Sequence, residues 1–159
     1  MKRLATMLAA AAATALAGAV AIPITAGAAS SSDRALVRLT LVETSDAFHF
    51  IDVPAPAADG QAGDAITFES TLRTRTGTRK GSLEGHCTQV RADGSLDDCD
   101  VTVIVGANSF RLSGPFDPTS GGTLTITGGT GSWIGAAGTD TIANQPDGTA
   151  IHTIALIRT

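Results

Sequence analysis

The sequence predicts an all-β domain closed into a barrel of about eight antiparallel strands, and three observations predict it. Apolar and polar residues alternate with period two in segment after segment, with glycine and aspartate turn signals between them. Beyond residue 28 no segment carries a helical period. Glycines stand inside the alternating segments as well as between them, where they weaken pairing unless a bend or a close approach requires them. Alternation alone fits a sandwich equally well; the bends that glycine permits are what closure of a barrel needs.

The chain opens with Met1, Lys2 and Arg3, runs apolar from Leu4 to Ile22, and breaks at Pro23. Ala26, Gly27 and Ala28 follow as a small-residue cleavage signal, so residues 1–28 read as a signal peptide cut near Ala28 and the protein as secreted. A membrane anchor is the alternative, but alanine dominates the segment, and Pro23, small residues and a serine run end it. Residues 29–34 read as a disordered polar leader, and 35–159 as the barrel domain.

Val37, Leu39 and Leu41 alternate with Arg38 and Thr40 as a first strand, and Phe48 and Phe50 flank His49 in a separate short stretch that Pro54 and Pro56 stop. Ile66, Phe68, Ser70 and Leu72 alternate with Thr67, Glu69, Thr71 and Arg73. Further strands are expected at 79–90, 99–105, around Phe110 and Leu112, at 123–127, at 132–143 and at 150–158. Parity turns Leu39, Leu41, Phe68, Leu72, Val101, Val103, Phe110 and Leu112 inward.

Without the signal peptide the chain holds nine Lys and Arg against 15 Asp and Glu, a net charge of −6. Such a surface offers no basic patch, which argues against nucleic acid or an anionic membrane as partner. Cys87 and Cys99 are symmetric about Asp93. A hairpin with the loop Ala92-Asp93-Gly94 sets them opposite each other within bridging range, and export permits a disulfide. Two free core thiols are the alternative, and the spacing is not a zinc pattern.

Sequence motifs for nucleotide, metal or serine-hydrolase chemistry are absent, so no cofactor and no metal are expected. Gly128, Gly129 and Gly131 resemble a phosphate loop but lack its lysine, and read as a tight turn leading into a strand. His49, His86 and His152 are scattered singly and read as surface or packed residues. Asp97, Asp98 and Asp100 read as a solvated turn. Glu43 is different. It continues the inward face of Val37, Leu39 and Leu41, where a carboxylate is expensive unless paired or put to use; alternatively the strand ends before it.

Four blocks, in order, resemble the allene oxide cyclase/dirigent superfamily. Ile126 to Gly138, with Gly128, Gly129, Gly131 and Trp133, is similar to its T-G-G-(S/T)-G-aromatic segment. Gly63 to Leu72 is similar to its G-D-x-x-x-F-x-x-x-L strand, Gly81 to Cys87 to its G-x-x-x-G-x-C strand, and Leu112 to Pro115 to its glycine-proline corner. The resemblance implies an eight-stranded antiparallel barrel with an apolar cavity, commonly a homotrimer, that binds an apolar small molecule and steers a cyclisation or coupling, an isomerase-like activity. It makes Glu43 the candidate catalytic residue, matching a glutamate that stabilises developing positive charge. Leu41, Ser45, Phe68, Ser70 and Cys87 become candidate ligand-binding residues. Ser45 and Ser70 stand where the family has water-holding asparagines, Phe68 matches a cavity aromatic and Cys87 a cavity cysteine. With five Phe, one Trp and no Tyr, a phenolic pocket is poorly supplied, so a lignan-type function is not carried over.

Three functions compete: a barrel that templates a reactive molecule, a non-catalytic barrel that binds an apolar ligand, and a structural protein with a filled core. A lumen smaller than about 300 Å³ would leave only the third.

Overall fold

The computed structural model describes residues 35–52 and 61–158. The expected signal peptide, the polar leader and the loop at Pro54 and Pro56 lie outside the described residues. Eight strands follow in order: β1 Ala35–Ile51, β2 Ala65–Arg73, β3 Arg79–Gln89, β4 Asp97–Val105, β5 Asn108–Phe116, β6 Gly121–Gly129, β7 Ala137–Asn144 and β8 Ala150–Arg158. Each pairs antiparallel with the next, and β8 pairs back onto β1, so the sheet is a closed barrel with neighbours in chain order.

Two expected segments merge in β1. The strand does not end before Glu43, and the stretch around His49 continues it. A bulge between Ser45 and Ala47 joins the two. Ser45 opposes Ser70, and one residue later than regular pairing would place them Phe48 opposes Phe68 and Phe50 opposes Ile66. Odd positions therefore face the lumen up to Ser45, and even positions do so from Phe48 onward. Asp46, the extra residue, accepts a 2.6 Å hydrogen bond from the Thr71 hydroxyl, which fixes the bulge to β2.

The β3–β4 hairpin keeps the expected register, with Cys87 directly opposite Cys99, and a disulfide joins them. Its loop is wider than the three residues expected: pairing stops at Gln89 and Asp97, and 90–96 form the turn. The strand expected from Ser132 starts only at Ala137. Before it, Gly131–Trp133 form one short 3-10 turn. That turn drops Trp133 onto Phe110, with ring centroids 5.3 Å apart in an edge-to-face contact. Gly138 shows why this segment is glycine-rich: its φ of +151° and the closeness of the Ala155 carbonyl oxygen leave no place for a Cβ.

The barrel is packed unequally along its axis. At the end bounded by the 74–78 and 106–107 turns, Leu72, Val103, Phe110, Leu112, Ile154 and Leu156 are fully buried, and Trp133 closes the stack. Each such side chain contributes about 2 kcal/mol through apolar burial. At the other end, where the 90–96, 117–120 and 145–149 connections lie, the described residues leave the lumen unfilled.

Candidate functional site

The unfilled end holds a cavity of about 460 Å³. It exceeds the size below which a ligand-binding reading fails and falls within the range of small-molecule sites. Its wall is mostly apolar, from Ile66, Phe68, Leu83, Val101, Leu124 and Ile142 among others. Phe48 and Phe116 also line it, so the β1 bulge determines which aromatic ring reaches the mouth. The Cys87–Cys99 disulfide forms part of the wall, and Cys87 therefore meets the lumen as half of a cystine and not as a thiol.

Glu43, Ser45, Phe68, Ser70 and Cys87 all line this cavity. Leu41 does not. It is buried in the core of the barrel, because its level on β1 lies toward the packed end, and it is corrected from a ligand contact to a core residue.

Glu43 has partners that sequence reasoning did not bring to it. His152, on β8, presents Nε2 to Glu43 Oε2 at 2.9 Å and Nδ1 to Asp140 Oδ2, on β7, at 2.6 Å. The imidazole is 1% exposed and the Asp140 carboxyl fully buried, while Glu43 keeps 18% of its side chain accessible. The three residues form a relay that runs from the core to the cavity wall. Burial alone would lower the pKa of His152. The hydrogen bonds from its ring to Asp140 and Glu43, and the charges of both, more than reverse this and raise it to about 9. The ring is then an imidazolium that donates at both nitrogens. Burial pushes the Glu43 carboxyl up, but the hydrogen bond and charge of His152 outweigh that and hold it below its ordinary 4.5. The Ser70 hydroxyl lies close enough to favour the charged carboxylate without meeting hydrogen-bond geometry, and its Oγ has no hydrogen-bond partner among the described residues.

His152 is thus no isolated packed histidine, unlike the exposed His49 and His86. The usable signal was parity: Ala150, His152, Ile154 and Leu156 share the inward face of β8, as Asp140 and Ile142 share that of β7. Spacing could not have found the whole relay: Asp140 and His152 meet across the β7–β8 hairpin, but Glu43 on β1 joins them only when the barrel closes. Asp97 corrects the reading of a solvated acidic turn. Asp98 is exposed, but Asp97 is 3% exposed and lines the cavity. Among the described residues no group of three or more His, Cys, Asp or Glu side chains is arranged to hold a metal ion.

The arrangement can hold an apolar molecule and set against it a carboxylate that His152 favours in its ionised form. A carboxylate with a lowered pKa is a weak proton acceptor but a strong electrostatic partner for positive charge in a dry site.

No protein-family model matches the chain, and no curated protein does either. Solved structures do. A pyocyanin demethylase superposes with a TM-score of 0.64 at 26% identity, over 76% of this chain and 99% of that one. A pterocarpan synthase dirigent protein gives 0.64 at 14% identity, over 81% and 88% of the two chains. A Diels–Alderase from Streptomyces koyangensis gives 0.60 at 18% identity, over 80% and 70%. The chain shares its closed eight-stranded antiparallel barrel with these proteins.

Proposed function

We propose that this protein is exported and binds an apolar small molecule in the barrel lumen, where it steers a cyclisation or related rearrangement. The observation that carries the reading is Glu43: a carboxylate held ionised by the buried His152–Asp140 pair and presented to a mostly apolar cavity of about 460 Å³. In this reading the wall folds the molecule into a reactive shape, which converts part of the barrier into binding. Glu43 stabilises positive charge as it develops. His152 keeps its proton between two carboxylates and positions Glu43. Ser45 and Ser70 orient water or a polar group of the ligand from the same wall. The structural neighbours, a dirigent protein and a Diels–Alderase among them, support ring-forming chemistry in such a lumen. The disulfide and the signal-like first 28 residues support export.

The test begins with native mass spectrometry of protein exported by its own host, which reads both a co-purified ligand and the mass of an oligomer such as the trimer. With that ligand or its precursor in hand, Glu43→Gln is expected to retain binding and to slow conversion by about 100-fold. Conversion at the unaltered rate would overturn the catalytic role and leave a binding barrel.

A further inference from the structure

The charged groups of the lumen are acidic in excess. Two carboxylates, Glu43 and Asp140, flank one imidazolium, so the relay holds one negative charge in excess. Among the described residues no lysine or arginine lines the cavity. A second acid lies elsewhere on the wall. Asp97 begins β4, opposite Gln89 and Phe116, and β4 is four strands from the His152 strand β8 in either direction round the ring. The two acidic groups therefore face the lumen from opposite walls.

Asp97 is 3% exposed and lines the cavity. A carboxyl set in a largely apolar wall is costly, and a ligand of opposite charge offsets that cost. Burial first, and then the charge of nearby Asp117, pushes it above its ordinary value. Asp117 itself is satisfied by Thr119 and Ser120 and offers Asp97 no hydrogen bond. A cation beside Asp97 would stabilise its ionised carboxyl, and that interaction appears as binding.

We propose that the lumen is built for a compact organic cation, and that Asp97 is a second ligand-binding residue, contacting it across the barrel from Glu43. The proposal rests on the reading of the lumen as a small-molecule site and goes further in naming the ligand's charge. It disfavours carboxylate-bearing ligands such as fatty-acid anions, which would meet acids on both walls and, among the described residues, no lysine or arginine.

Three probes of one ring system and different charge test it: N-methylacridinium, acridine and acridine-9-carboxylate, titrated at neutral pH into the disulfide-bonded protein and followed by fluorescence and calorimetry. The cation is expected to bind at least about tenfold more tightly than the carboxylate, about 1.4 kcal/mol. Asp97→Asn should weaken the cation by about fivefold or more and acridine by less than about twofold, with an unchanged circular dichroism spectrum. A carboxylate that binds as tightly as the cation would overturn the proposal, as would equal affinity for all three; in both cases the lumen still binds small molecules and the functional reading survives. If none of the three binds, both readings fall. The charge order is measured on the unaltered protein, so it remains decisive if Asp97→Asn does not fold.

Discussion

His152 is the residue on which the site turns. Its folded pKa of about 9 lies above the ordinary 6.5, so the folded protein holds the proton more tightly than the unfolded chain. The stability this supplies, about 3 kcal/mol by linkage, is complete below about pH 6.5 and is lost as the pH rises through about 9. Glu43 acts in the opposite sense: its folded pKa lies below 4.5, so its contribution is present above that value and is lost as the pH falls through the folded pKa. Urea denaturation across the pH range is expected to show falling stability from about pH 6.5 to 9, and the slope should vanish in His152→Gln. His152→Ala should be worse than either neutralising change, Glu43→Gln or Asp140→Asn, by about 3 kcal/mol, because it leaves two buried carboxylates facing one another. A flat profile in the unaltered protein would remove the imidazolium from the relay. At this scale the sequence was half legible. Glu43 showed itself by its inward parity beside Leu39 and Leu41; His152 and Asp140 also face inward but looked ordinary, because nothing in a linear chain brings β8 against β1.

Among the elements, the β3–β4 hairpin was read most closely, since the symmetry of Cys87 and Cys99 about Asp93 survives a turn wider than expected. Reduction, or the double change Cys87→Ser and Cys99→Ser, is expected to lower stability by about 3 kcal/mol in the chain-entropy picture. Because both sulfurs face the cavity, the same change should also weaken ligand binding, which a titration of oxidised against reduced protein would detect. The segment before β7 was legible only as glycine and turn. Its one-turn helix depends on a long-range partner, Phe110, whose ring meets Trp133, and a local reading of residues 128–136 does not contain that contact. Residues 97–100 failed for a related reason: a run of acids beside a turn looks solvated, and only strand parity separates inward Asp97 from outward Asp98.

The whole molecule divides along its axis into a solid end and a hollow one. Alternation and strand glycines were sufficient to read closure, because every strand needed an inward face and none could be left as an edge. Whether the lumen was filled could not be read, since the same inward leucines and valines would serve a filled barrel or a half-filled one. The division predicts a gradient of local stability. Amide hydrogen exchange should be slowest around Leu72, Val103, Phe110 and Leu156 and faster toward Phe116, Asn144 and Ala150 at the mouth. Uniform protection along all strands would contradict it.

The bulge in β1 has a consequence for how such a barrel can diverge. Asp46 is one residue more than the pairing with β2 requires, and the strand absorbs it without altering which side chains reach the lumen on either flank. A chain one residue shorter at this point would still turn Glu43 and Ser45, then Phe48 and Phe50, to the same interior. Length variation here is therefore silent in the deep site and expressed only as curvature at the rim, which lets the aperture evolve while the charge relay keeps its register.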